Sequence, residues 1–193
     1  MTDIDESRRE SENPAAYACR LSAEKAEAAA GLISGEALIL AADTIVVDGD
    51  VVLGKPVDGE DARRILASLR GRVHEVYTAI TLLDTGRRVV ETDLARSRVQ
   101  MRAYTDEEIA AYIASGDPFD KAGAYAIQNE DFRPAIGFDH CFANVMGLPL
   151  CHVARLLDRM GFREKGDMAE VCQAGIGYQC QVFEGILNGR DSG

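Results

Sequence analysis

Asp43 sits inside Leu38-Ile-Leu-Ala-Ala-Asp-Thr-Ile-Val-Val47, a run that is otherwise almost continuously apolar. A carboxylate there loses hydration, which is tolerated only where the group is paired, hydrogen-bonded or bound to a metal. Two readings stay open: an acid working in a site, or a strand-end side chain that caps neighbouring backbone. Gly54-Lys55-Pro56 follows. Glycine lets a ligand approach the main chain, lysine offers a mobile point charge suited to phosphate, and proline stiffens the exit. Alone, a Gly-Lys-Pro tripeptide is most often an ordinary turn. Its weight comes from Asp48-Gly49, a tight-turn signal that would return the chain and bring Lys55 back toward Asp43. An acid and an amine so placed can hold a metal and a phosphate together. The third cluster is Asp120-Lys121-Ala-Gly-Ala-Tyr-Ala-Ile-Gln128. Small residues beside Lys121 allow close backbone approach, and the Gln128 amide, both donor and acceptor, can read a base edge. The bland alternative is a solvated charge followed by a buried strand.

Other chemistries find less support. The chain has no G-x-x-x-x-G-K-[ST] and no G-x-G-x-x-G, so neither a P-loop nor a dinucleotide fingerprint is present. No serine stands in a nucleophile elbow, which leaves acyl transfer without a nucleophile. His74, in an expected strand, reads as a hydrogen-bonded structural histidine. His140-Cys141, Cys151-His152 and the pair Cys172 and Cys180 match no zinc spacing. The five cysteines are scattered, odd in number and without C-x-x-C, as expected of reduced thiols.

These residues must be held by a fold, and the composition says of what kind. The 193 residues are 47% apolar and 27% charged, an ordinary globular balance for one domain with an appendage. There are 21 basic and 32 acidic residues, a net charge of −11, which disfavours binding to a nucleic acid polymer and requires any phosphate ligand to be small and locally handled. No apolar run has the length of a membrane span and no signal core opens the chain, so no membrane partner and a cytoplasmic location are expected.

Asn13-Pro14 followed by an Ala-rich run to Ala30 and Gly31 predicts a helix. The Leu38–Val47 run predicts a strand covered on both faces, turning into Val51-Val52-Leu53. Asp58 caps a helix with Ala62, Ile65, Leu66 and Leu69 at helical spacing, closed by Gly71. Residues 73–83 and 87–101 read as a long antiparallel hairpin. Thr105-Asp-Glu-Glu108 is a capping box for a short helix to Ser115. Short strands are expected at 121–128, 132–137 and 141–145. Pro149 starts a last helix, with Leu150, Val153, Leu156, Leu157 and Met160 on one face, stopped by Gly161. Residues 163–193 mix charge, Gly and cysteine and are expected to be an appendage to a domain spanning 1–162.

Seven segments, in order, resemble the Maf family of nucleoside triphosphate pyrophosphatases, also described as septum-formation inhibitors. They are Asp5-Glu6-Ser7, Leu21-Ser-Ala-Glu-Lys-Ala26, Ala42-Asp-Thr-Ile-Val46, Leu53-Gly-Lys-Pro56, Leu69-Arg-Gly-Arg-Val-His-Glu-Val-Tyr-Thr78, Ser115-Gly-Asp-Pro-Phe-Asp-Lys-Ala-Gly-Ala-Tyr-Ala-Ile-Gln128 and Asn144-Val-Met-Gly-Leu-Pro-Leu150. The resemblance implies an α/β fold with an elongated mixed sheet and two lobes flanking a cleft, similar to the inosine triphosphatase architecture. It also implies hydrolysis between the α and β phosphates, giving the monophosphate and pyrophosphate with a divalent cation, Mg²⁺ or Mn²⁺.

Carried over by position, Asp43 matches the family's proton acceptor, and Thr44 and Gln128 match positions tied to substrate choice. Glu6, Lys25, Lys55 and Lys121 match polar positions lining the cleft. The Asp-Thr and Ala-Ile-Gln pattern looks like the subgroup acting on dTTP and UTP; related, including modified, nucleotides stay within the expectation. Asp43 with Glu6 would then hold the cation and orient water, since an ordinary aspartate with a pKa near ~3.9 is a feeble base at neutral pH. The lysines would offset triphosphate charge. A homodimer, common in the family, is a further expectation. One feature departs from the pattern: the family's first strand and Ser-x-Ser-Pro-Arg-Arg loop do not precede Asp5-Glu6-Ser7, so the sequence reads as N-terminally truncated. Loss of a bidentate phosphate-binding arginine would weaken substrate handling and leave a sheet edge open. A second expectation follows from that departure, a catalytically impaired nucleotide-binding or cell-division-regulating relative.

Overall fold

The Asn13 side chain accepts a hydrogen bond from the Ala16 amide with Pro14 at the first helical position, and α1 runs from Pro14 to Ala30. Pro14 has no amide to leave unpaired, so this start satisfies the helix's first donors at little cost. The computed structural model describes residues 4–162 and 166–190. After α1 come β1 (Leu38–Asp48), β2 (Val51–Leu53), α2 (Gly59–Leu69), β3 (Val73–Asp84), β4 (Val89–Met101) and α3 (Asp106–Ala114). Then follow β5 (Ala135–His140), α4 (Phe142–Val145), α5 (Leu150–Arg159), α6 (Met168–Ile176) and α7 (Phe183–Leu187).

The five strands form one sheet in the order β2-β1-β3-β4-β5, and each neighbouring pair is antiparallel. In the β1–β3 ladder Asp43 stands opposite Ala79 and Thr44 opposite Thr78. Because strand side chains alternate, these two neighbours leave on opposite faces. One face is covered by α1: Ala18 packs with Ile45, Val47, Tyr77 and Ala79, and Ala26 packs with Ile39 and Leu83. On the other face two groups of helices are separate. Toward one end, Ile65, Leu66 and Leu69 of α2 and Ile109 of α3 pack on Val46, Val76 and Val99. Toward the other, Val153, Leu156 and Met160 at α5 pack on Ile80 and Leu82. Thr78 lies in β3 between these clusters, at the level of a cleft. The α/β class agrees with the sequence reading, but the sheet, expected to be mixed, is antiparallel at every described pair, because β1–β2 and β3–β4 are hairpins and no described crossover joins parallel neighbours.

The capping box of α3 forms as its spacing predicts, with Thr105 and Glu108 bonding each other's backbone. The expected strands at 121–128 and 141–145 are corrected. The first region holds a short 3₁₀ turn, Ala122–Ala124, just after another at Asp117–Asp120, because Gly123 at φ 71° and Ala124 at φ 60° take successive left-handed conformations that break an extended run. In the second, Cys141 precedes α4, where the chain leaves the sheet. The strand expected at 132–137 forms three residues later, as β5. Residues 166–190 fold into α6 and α7, which bury Ala169, Cys172 and Ile186 against Cys141, Ala143 and Cys151. Among the described residues no helix is long and apolar enough to cross a membrane.

Candidate active site

Tyr17, Leu21 and Lys25 follow one another at four-residue spacing, which aligns them along one face of α1. That face looks along the edge of β1. β2 pairs with β1 only from Val46 to Asp48, so among the described residues the β1 edge from Leu38 to Ile45 has no strand beyond it. A cavity of about 470 Å³ wraps this free edge, and so takes Asp43 and Ile45 from one face of the sheet and Ala42, Thr44 and Val46 from the other. All seven residues singled out by sequence line it: Glu6, Lys25, Asp43, Thr44, Lys55, Lys121 and Gln128.

Asp43 is 7% exposed, in mid-strand, and does not cap backbone as the alternative reading had it. Its Oδ1 accepts from the Lys25 ammonium at 2.5 Å, while Oδ2 is buried without a partner. The same ammonium stands 2.9 Å from Glu6 Oε1. Burial pulls the Lys25 pKa down, but the hydrogen bonds and charges of Asp43 and Glu6 outweigh it and hold the value above the ordinary one. Glu6 belongs to an extended segment fastened to α1: the Tyr17 hydroxyl donates to Glu6 O at 2.6 Å, and Arg20 donates to Ser7 O at 2.9 Å and to Glu12 at 2.8 Å. The Arg20 guanidinium holds the Glu12 carboxyl down to about 2.

The opposite rim is tied down through backbone. The Gly123 amide donates to Gly54 O at 3.1 Å, joining the turn that carries Lys121 to the one that carries Lys55. A Cβ at Gly123 would stand 2.8 Å from Val46 Cγ2, so only glycine permits this approach. Lys121 donates to Asp117 O at 2.9 Å and Asp120 Oδ1 at 2.6 Å. Its burial works against the charge, yet Asp120 and Asp117 hold its pKa above the usual value. Lys55 is exposed at the mouth, as is Gln128.

Thr44 is positioned by a buried polar chain. Its hydroxyl shares a hydrogen bond of 2.9 Å with that of Thr78, which donates to Asn144 O at 2.9 Å. Asn144 in turn donates to Val76 O and Ser97 Oγ, each at 2.9 Å. Sequence reasoning gave no role to Tyr17, Thr78 or Asn144. The four-residue spacing from Tyr17 to Lys25 was the signal available for the first. Thr78 carried none, since a threonine in a strand is ordinary.

His74 is a buried structural histidine, as read: Nε2 lies 2.7 Å from the Tyr125 hydroxyl, and burial lowers its pKa to about 4. Cys141, Cys151, Cys172 and Cys180, far apart in sequence, line one small void in the C-terminal part. Burial pushes the Cys141 thiol to about 11 and Cys151 to about 12, leaving them poor nucleophiles.

The carboxylates Glu6 and Asp43 suit a hard divalent cation in chemistry, and the orphaned Asp43 Oδ2 is an oxygen in want of a partner. Among the described residues no three His, Cys, Asp or Glu side chains are grouped to hold a metal ion. A cation here would therefore take its remaining ligands from substrate phosphate and water, as Mg²⁺ commonly does.

Comparison with known proteins gives a consistent picture. The chain is 46% identical over 159 residues to a dTTP/UTP pyrophosphatase of Geotalea uraniireducens (82% of this chain, 81% of that protein). It is 43% identical over 164 residues to a dTTP/UTP pyrophosphatase of Chromobacterium violaceum (83% and 82%). A third relative of that name, from Dictyoglomus thermophilum, is 44% identical over 126 residues (65% of each chain). The family model described as Maf-like protein matches residues 1–160, the stretch that contains every side chain of the cavity. This chain is a member of the Maf-like protein family.

Proposed function

We propose that the chain is a nucleoside triphosphate pyrophosphatase that cleaves dTTP, UTP or related, including modified, nucleotides between the α and β phosphates, releasing the monophosphate and pyrophosphate. The observation that carries this reading is the convergence of a buried carboxylate and three lysines from four separate segments on one cavity. The activity in the names of the relatives supports it.

Asp43 is the proton acceptor: its buried Oδ2 accepts no hydrogen bond from the protein, which leaves its accepting capacity for a water that enters with the nucleotide. Lys25, Lys55 and Lys121 offset the charge of the triphosphate and of the leaving pyrophosphate. Thr44, fixed by Thr78 and Asn144, and Gln128 at the mouth face the base. Glu6 and Asp43 would hold a divalent cation, which when bound supplies positive charge against the phosphates and eases deprotonation of water. The main force here is positioning, since phosphoryl chemistry asks little covalent help from the protein.

Pyrophosphate release from dTTP and UTP with Mg²⁺ tests the reading directly. Turnover is expected for the native chain, with a drop of roughly 100-fold or more in Asp43→Asn, read on protein shown by circular dichroism to be folded. Nucleotide affinity by calorimetry with no pyrophosphate released from any triphosphate would overturn it in favour of a binding protein.

A further inference from the structure

Of the three lysines on the cavity, Lys121 is held by Asp117 and Asp120, and Lys55 stands at the mouth. Lys25 alone spends its charge on the two carboxylates suited to a cation. Its ammonium is 2.5 Å from Asp43 Oδ1 and 2.9 Å from Glu6 Oε1, bridging them as a metal ion would. A divalent cation bound to those oxygens would stand within a few ångströms of the ammonium, a repulsion too large to sustain where the Asp43 side chain is only 8% exposed. The two cations exclude each other.

We propose that the Lys25 ammonium is the resident counter-ion of the Glu6 and Asp43 carboxylates and must leave them before they take a divalent cation. A lysine can make that move: its ammonium is a point charge on a flexible four-carbon stem, and a triphosphate entering the cavity offers it other oxygens. Nucleotide then draws the ammonium off the pair as it supplies the phosphate ligands a cation needs, so the two ligands bind synergistically. By linkage, each raises the other's affinity by the same factor. Without nucleotide, Lys25 keeps the buried acid neutralised and the cavity closed to free cation. The inference rests on the pyrophosphatase reading for the identity of the nucleotide, but the competition itself needs only the three side chains.

The test is titration of the 193-residue chain with Mn²⁺ in the absence of nucleotide, followed by the electron paramagnetic resonance signal of free Mn²⁺. Lys25→Met is expected to bind Mn²⁺ roughly tenfold more tightly than the native chain, and adding Asp43→Asn to it is expected to remove the gain. Lys25→Gln, which keeps a hydrogen-bond donor but no charge, serves as the second variant and is expected to behave alike. Equal or weaker Mn²⁺ binding in a folded variant overturns the proposal, and so does failure of both variants to fold, since the charge would then be structural and not exchangeable. Pyrophosphate release assayed alongside separates the two readings. Turnover by the native chain without tightened Mn²⁺ binding in the variants sinks the counter-ion inference alone, whereas tightened binding in the variants with no turnover by the native chain sinks the pyrophosphatase reading and leaves the competition standing.

Discussion

His74 is 2% exposed, its Nε2 is engaged by Tyr125, and its Nδ1 has no partner. Burial lowers its pKa from 6.5 to about 4, so it stays neutral in the folded chain at any pH near 7. In the unfolded chain it takes up a proton first as pH falls. Stability contributed by the neutral ring is therefore complete above pH 6.5 and is lost progressively down to about pH 4. The native chain is expected to lose about 3 kcal/mol more than His74→Gln between those limits, measured by urea denaturation at several pH values. At this scale Asp43 was legible, because a charge inside an apolar run violates the pattern around it. Thr78 was not, because its role exists only through Thr44 and Asn144, which reach it from distant parts of the chain.

Among elements, the turn at Ala122–Ala124 decides where Lys121 stands. Its apolar composition resembles a strand, yet positive φ at Gly123 and the bond from its amide to Gly54 O bend it into contact with the β1–β2 hairpin. Gly123→Ala puts a methyl group against Val46 in a conformation alanine resists. It is expected to cost about 1 to 3 kcal/mol in thermal unfolding and, by shifting Lys121, to raise KM for nucleotide more than it lowers kcat. The longer helices and strands were readable because capping and periodicity are local. The turn was not, since its conformation is selected by the backbone it meets.

For the whole molecule, a nearly buried ion pair adds to the apolar packing that joins the C-terminal helices to the sheet. Arg155 in α5 donates to Asp93 Oδ2 and Oδ1 of β4, each at 2.9 Å, and to Ile186 O of α7 at 3.0 Å. Both side chains are nearly buried, at 13% and 12% exposure. Breaking such a pair leaves a buried charge uncompensated. Arg155→Met is expected to destabilise the chain by about 3 kcal/mol or more in urea. Hydrogen exchange should rise earliest in Phe183–Leu187, and unchanged protection there would show that the joint lies elsewhere. The charge balance of the sequence bounded the ligands but said nothing of this joint, and residues 163–193 read as an appendage because the helices found there, α6 and α7, are short and become helical against the body.

The sequence by itself determined the long helices α1, α2, α3 and α5, the strands β1 to β4 with their two hairpins, the class of fold and the residues able to handle phosphate, because each is written in short-range patterns of polarity, capping and turn chemistry. Tertiary structure decided the rest. It ordered the strands, opened the β1 edge into a cavity, brought Lys25 onto Asp43 and Glu6, and gathered four scattered cysteines around one void. Such contacts join residues far apart in the chain, and their geometry is set by packing the whole core at once, which no local pattern encodes.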